Sequence, residues 1–291
     1  MLFISEYDAF GPWVYEIDEG HLIPPLFKPY FPSDKPFEMA FKIPREIERR
    51  KATPDMDLYD YVVAAYDEEI VVLSRRDKAV DEVRVRYAEI EGISLYRRLL
   101  YGVCVLYLKE GKAEIPFNVV SIEILMRFIR LIRGKILIAP ADCALPQGIS
   151  DQELSDILFF NLARDLRDEG EQFVIVTQQP DQAVRYRKPT LMQRLKQTVR
   201  PPHLKSAMHL MNDRELLVIE RGTGGDKARD SEHSYEYFYL PLQQIQNIAE
   251  SEDDLYVGIK KCSVHLPHHR FDWRFGAENT HARETYQNLL K

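Results

Sequence analysis

Cysteine is scarce in this 291-residue chain. Cys104, Cys143 and Cys262 are widely separated and odd in number, which argues against a disulfide framework and suits a reducing compartment. Positive charge is also in deficit. The formal net charge of −7 disfavours wholesale attraction to nucleic acid or anionic lipid and leaves only local patches for such partners. No long apolar run is uninterrupted. The longest, residues 122–138, carries Arg127, Arg130, Arg133 and Lys135, more charge than a bilayer span accepts. The G-x-S-x-G elbow, the H-E-x-x-H pair and the Rossmann glycine pattern are absent, so no catalytic or cofactor-binding residue is assigned and no cofactor is expected. The first residues lack a basic segment and meet Glu6 and Asp8 before any long apolar stretch, which reads as no signal peptide and a cytoplasmic protein.

What is present is ordinary globular composition, 45% hydrophobic and 29% charged, in a chain long enough for two domains. It also contains an internal repeat. Residues 67–75 (DEEIVVLSR) align with residues 213–221 (DRELLVIER) at an offset of 146. Further on, Ile90, Ile93, Leu100 and Tyr101 fall on Ile245, Ile248, Leu255 and Tyr256 at an offset of 155. The nine-residue difference marks an insertion in one hairpin loop. Such a period signals one supersecondary arrangement written twice.

Four segments follow from this alignment. Residues 1–58 form an extended arm, because Pro24, Pro25, Pro29, Pro32 and Pro36 run through a stretch holding Phe27, Tyr30, Phe31 and Phe37, and so many fixed φ angles exclude a helix. Pro44 suits the first position of a short helix. Residues 59–134 alternate as short strands and end in a helix over 122–133, with Leu125, Ile129 and Ile132 on one face and Ile124, Phe128 and Leu131 on the other. A helix apolar nearly all round is buried on two faces. Residues 135–205 are a connector, with a helix predicted from the Ser150–Glu153 capping pair to a stop at Gly170. Residues 206–291 repeat the first copy, with a strand over 255–266 and a closing helix over 277–290.

Few residues stand out as candidates for chemistry. Cys262, His265, His268 and His269 are the metal-ligand candidates, since zinc accepts thiolate and imidazole, although the histidines crowd a hairpin turn and Cys262 sits back in the strand. Gly222 to Lys227 lacks phosphate-loop spacing and reads as a flexible loop carrying Lys227 and Arg229, which Asp226 and Asp230 offset. Residues 182–212 contain no acid and hold Arg185, Arg187, Lys188, Arg194, Lys196, Arg200 and Lys205. Their complement stands at Glu250, Glu252, Asp253 and Asp254, which favours pairing within the protein over nucleic acid. In the arm, Trp13 after Gly11-Pro12 and the pair Lys42 and Arg45 are candidates for docking.

A hairpin ending in Arg, a later Pro241-Leu242-x-x-Ile245-x-x-Ile248 strand, further antiparallel strands and a terminal amphipathic helix together resemble the bacterial pleckstrin-homology-like (PH-like) and GRAM-type domains. The resemblance covers about residues 59–133 and 206–291. It implies an α+β fold of two PH-like half-open β-barrels, each closed by a C-terminal helix, with the arm and an α-helical connector outside them. The expected function is a non-enzymatic interaction or scaffold role. A protein partner or self-association is expected, an anionic membrane is the alternative, and an enzyme site between the repeats comes third.

Overall fold

The computed structural model describes residues 6–32, 35–137, 145–199, 201–222, 234–279 and Tyr286. The chain divides into two units, Met1–Ile138 and Ala139–Lys291.

The first unit begins with a one-turn helix α1 (Glu6–Ala9) and strands β1 (Tyr15–Glu16) and β2 (Met39–Pro44). Strands β3 (Tyr59–Ala65), β4 (Glu69–Arg76) and β5 (Ala79–Arg86) complete an antiparallel sheet ordered β1-β2-β3-β4-β5. A second antiparallel array follows from β6 (Ile90–Arg98), β7 (Tyr101–Leu108) and β8 (Lys112–Asn118), and helix α2 (Ile122–Ile136) comes after it. The buried apolar positions Leu125, Phe128, Ile129 and Ile132 fall within an arc of about 100°, and Ile124 and Leu131 are only half-buried, so α2 buries one face and not the two that its composition suggests. Phe128 meets Phe41 of β2 edge to face at 5.1 Å. Arg127 pairs with Glu16, and Lys135 with Glu38 and Asp67.

The arm is part of this core. Phe10, Ile17 and Phe27 are buried with Tyr59, Val62, Ala64, Tyr66 and Leu73, and Tyr30, Phe31 and Phe37 pack against that cluster. The proline-rich stretch stays irregular. Once it ends, β2 takes a central place between β1 and β3. Pro44 closes β2 at a register shift and does not open a helix, a position where its missing N–H removes little from the ladder.

In the second unit, a 3₁₀ turn at Asp151–Glu153 precedes helix α3 (Ile157–Asp168). The Ser150 N–H does donate to Glu153, but the helix starts later, where Asp156 accepts from the Leu158 N–H. Gly170 ends it with φ +83°; the Gly170 N–H donates to Arg167 and the Glu171 N–H to Leu166, a Schellman pattern. Next come β9 (Val174–Gln179), β10 (Gln182–Ala183), helix α4 (Leu191–Val199) and β11 (His203–Leu204), with β10 paired to β11. Strands β12 (Ala207–Met211), β13 (Glu215–Arg221) and β14 (Ser234–Pro241) extend an antiparallel array from β9, and β15 (Asn247–Glu252), β16 (Ile259–His265) and β17 (Arg270–Gly276) form another. Apart from Tyr286, the closing helix expected over 277–290 lies outside the described residues beyond Asn279.

The expectation of an α+β fold built from two helix-closed half-open barrels is overturned. Antiparallel sheet dominates, and among the described residues no sheet closes into a barrel. Closure depends on strand partners far apart in sequence, which hydrophobic alternation does not encode, and here β1 and β2 from the arm widen the first sheet instead. The repeat itself has a close structural counterpart. Strand β4 starts at Glu69 and β13 at Glu215, 146 residues on; β5 starts at Ala79 and β14 at Ser234, 155 residues on. Turn bonds repeat too: Tyr66 N–H to Glu69 matches Asn212 N–H to Glu215, and Tyr87 N–H to Glu68 matches Leu242 N–H to Arg214. The match of Leu100-Tyr101 to Leu255-Tyr256 is corrected. Strands β7 and β16 start at Tyr101 and Ile259, an offset of 158, because the connection after Asp253 is three residues longer.

Among the described residues no helix is long and apolar enough to cross a membrane.

Candidate functional site

The first unit contains a cleft of about 610 Å³ whose wall includes Pro12, Pro44, Arg45, Tyr61, Tyr101 and Phe117. Its rim is built by the β6–β7 hairpin. Arg98 pairs with Tyr101, so Leu99 and Leu100 alone make the connection. Leu99 sits at φ +51°, the left-handed region that two-residue hairpins normally fill with Gly, Asn or Asp. The β4–β5 hairpin of the same unit obeys that rule with Asp77 at φ +56°. A leucine there is strained by about 1 kcal/mol or more, and folding alone gives no reason for it.

Three hydrogen bonds bring further apolar side chains to this tip. The Val119 N–H donates to the Leu100 carbonyl at 2.8 Å, and Asn118 accepts from the Val120 N–H at 3.1 Å, so Val120 stands beside the hairpin. The Val14 N–H donates to Ser121 Oγ at 2.9 Å, which brings Trp13 to the same place. Trp13, Leu99, Leu100, Tyr101 and Val120 are between 47% and 66% exposed. Scattered exposed leucines need no explanation, but Leu100 and Tyr101 also line the concavity, and exposed apolar side chains at the margin of a cleft mark a candidate interaction site.

The floor depends on a glycine. Gly102 faces Phe117 across β7 and β8, and a Cβ on Gly102 would lie 2.5 Å from the Phe117 ring. Gly102→Val is expected to displace Phe117 and cost about 1–3 kcal/mol by overpacking, read as a lowered denaturation midpoint. An unchanged midpoint would refute this account of the floor.

Charges in the cleft are mixed and locally matched. Asp60 accepts from Arg75 at 2.7 and 2.9 Å and lies 3.8 Å from Arg45, which also donates to the Asp57 carbonyl at 3.1 Å. The Arg49 guanidinium stacks over the Tyr7 ring at 4.1 Å. Glu48 pairs with Arg50 and Lys51. Burial, with Asp60 nearby, raises the Tyr61 phenol above its ordinary range.

The residues singled out by sequence scatter among different environments. Trp13 is exposed next to Pro12 of the cleft wall, and Arg45 is part of that wall. Lys42 is buried: its ammonium donates to the Leu22 carbonyl at 2.8 Å, pairs with Glu6 at 3.1 Å and sits over the Tyr59 ring at 4.5 Å. Burial lowers its pKa, with Glu6 opposing the shift, and it braces the arm instead of facing solvent. Arg187 donates to Glu252 at 3.0 Å and to the Asp253 carbonyl at 3.1 Å. Backbone bonds join Arg187 N–H to Leu255 and Val257 N–H to Arg185, with Tyr186 against Tyr256. The basic segment thus finds part of its acidic complement inside its own unit, as the sequence suggested. Lys188 is exposed. Lys227 and Arg229 lie outside the described residues.

Cys262 and His265 are three apart on β16, which places them on opposite faces. Cys262 is buried and its thiol is pushed up to about 12, by burial first and then by Glu250 and Asp272. His268 and His269 lie in the turn before β17. Among the described residues, no three His, Cys, Asp or Glu side chains are grouped to hold a metal ion.

Sequence reasoning missed Leu99 and Leu100 as a surface feature. The signal was available: a two-residue gap between strands that contains no turn-forming residue. No protein-family model matches this chain, and no curated protein matches it.

Proposed function

We propose that this chain is a non-enzymatic interaction protein of the cytoplasm whose first unit receives an apolar segment of a partner protein in the cleft beneath the β6–β7 tip. One observation carries the reading: Leu99 holds a left-handed conformation in order to present, with Leu100 and Tyr101, an exposed apolar edge beside a concavity. A polypeptide suits the cleft better than a flat anionic surface, because Glu46, Glu48 and Asp60 line it along with Arg45 and Arg49. Trp13 and Tyr101 supply the aromatic anchors that dominate binding energy at such sites. Buried Cys104 and Cys262, both free thiols, support the reducing compartment. The matched strand starts and turn bonds support descent of both units from one ancestor related to the PH-like and GRAM-type families.

Selection of displayed peptides on the full chain tests the proposal. Enriched peptides should carry large apolar side chains and bind a Leu99→Asp, Leu100→Asp variant at least about ten-fold more weakly, since removing a hot-spot pair costs above 1 kcal/mol. Unchanged thermal unfolding would show the variant to be folded. Peptides that bind both proteins equally, or no enrichment at all, would refute the reading.

A further inference from the structure

Helix α4 of the second unit is amphipathic in an unusual sense, with its apolar side facing solvent. Its boundaries are locally encoded. Thr190 Oγ1 accepts from the Gln193 N–H at 3.3 Å and the Gln193 side chain accepts from the Thr190 N–H at 2.8 Å, a reciprocal capping box. Pro201 and Pro202 follow soon after its end. Leu191, Met192, Leu195 and Val199 fall within an arc of about 100° at the helical period. All four are between 64% and 88% exposed. Gln193 and Arg194 lie outside that arc.

This stripe sits inside the acid-free stretch of residues 182–212. Arg187 and Lys205 are held by their own unit, Arg187 by Glu252 and Lys205 by the Gly222 carbonyl. Arg185, Lys188 and Arg194 are exposed close to the helix.

We infer that α4 is an interfacial anchor that lies in the headgroup layer of an anionic membrane, with its apolar stripe toward the acyl chains. Two arguments select this occupant. Every charged residue of the segment is basic in a chain of net charge −7, so its attraction is specific to a negative surface and local to the helix. A nine-residue helix is only about 14 Å long, and four side chains on one face fall far short of the roughly 800 Å² per partner that a stable dimer buries. Neither the shallow stripe nor a few charges suffices alone, so binding is reversible and needs both.

Sedimentation of the full chain with vesicles tests the inference. With phosphatidylcholine vesicles containing about 30% phosphatidylserine, the protein is expected in the pellet at low ionic strength, and released at about 0.5 M salt where the Debye length shrinks to a few ångströms. Pure phosphatidylcholine vesicles are expected to leave it in the supernatant. Leu191→Glu with Leu195→Glu, and separately Lys188→Glu with Arg194→Glu, should each reduce binding by about ten-fold or more, with unchanged far-UV circular dichroism. Binding equal across these proteins, or none to the anionic vesicles, overturns the inference. So does a stripe variant that only converts a dimer to a monomer by sedimentation velocity, because the stripe would then meet a second copy. The peptide selection above reads the first unit and fails or succeeds independently.

Discussion

Replacing Phe27 by alanine is expected to destabilise the first unit by about 3–5 kcal/mol, the range for emptying a fully packed aromatic site. Phe27 is 1% exposed and lies in a proline-rich segment that looks, by composition, like an appendage. Its neighbours decide the matter: the cluster around it draws Phe10 and Ile17 from the arm and Tyr59, Val62 and Leu73 from the sheet. Deleting residues 1–38 would strip that sheet face and leave Lys42 buried without Glu6 or the Leu22 carbonyl, so unfolding of the first unit is expected, not a trimmed but folded one. Denaturant titration of Phe27→Ala, followed through Trp13 fluorescence in a Trp273→Phe background, measures the loss. A change below about 1 kcal/mol would mean the arm is peripheral after all.

The repeat was legible because hairpins are local. A strand, a polar turn and a second strand announce themselves within ten residues, and an insertion shows as a change of offset. The places where the reading broke involve groups that the alternation of apolar residues does not register. Residues 255–258 are apolar enough to look like a strand. In the fold, Asp253 accepts from the Leu255 and Tyr256 N–H groups and the Arg185–Arg187 backbone bonds to Leu255 and Val257, so the strand starts only at Ile259. Burial alone would raise the Asp253 carboxyl, but Arg274 and those two backbone donors hold it below the usual range. The arm's aromatics pack on the sheet, as their density suggests, but its strands were missed for a related reason. Proline density describes what residues 24–36 cannot be, and says nothing of β2, which begins after it. Of the candidate site, Trp13 and Arg45 were legible as odd words in a plain context; Leu99 and Leu100 were not, because two leucines between strands look like core until the turn geometry exposes them.

Between about pH 4.5 and 3 the second unit is expected to lose stability at up to about 1.4 kcal/mol per pH unit through a single histidine. His209 of β12 is fully buried, its Nδ1 2.5 Å from the Tyr286 hydroxyl, and its ring meets Trp273, Phe275 and Tyr286. Its Nε2 is buried with no hydrogen-bond partner among the described residues. Burial depresses its pKa to about 3, from 6.5 for the free side chain. The unfolded chain therefore holds the extra proton between pH 6.5 and 3, and stability present above 6.5 drains as pH falls. Glu220 of β13 works in the opposite sense. Burial, and then Glu236 directly across β14, raise its carboxyl to about 7, with Trp273, Arg274 and Lys205 opposing. Here the folded state holds the extra proton between 4.5 and 7, so this contribution is complete below 4.5 and is lost as pH rises through 7. The two slopes cancel between about 4.5 and 6.5 and leave a plateau, below which His209 draws stability down together with carboxylates such as Asp253 that the fold holds below their usual range. Denaturation of Trp13→Phe protein, read through Trp273, should show this plateau. His209→Phe should flatten the acid limb, and Glu220→Gln should flatten the fall toward pH 7. An acid limb as steep in His209→Phe as in the parent would assign it to carboxylates such as Asp253 and remove His209 from the account.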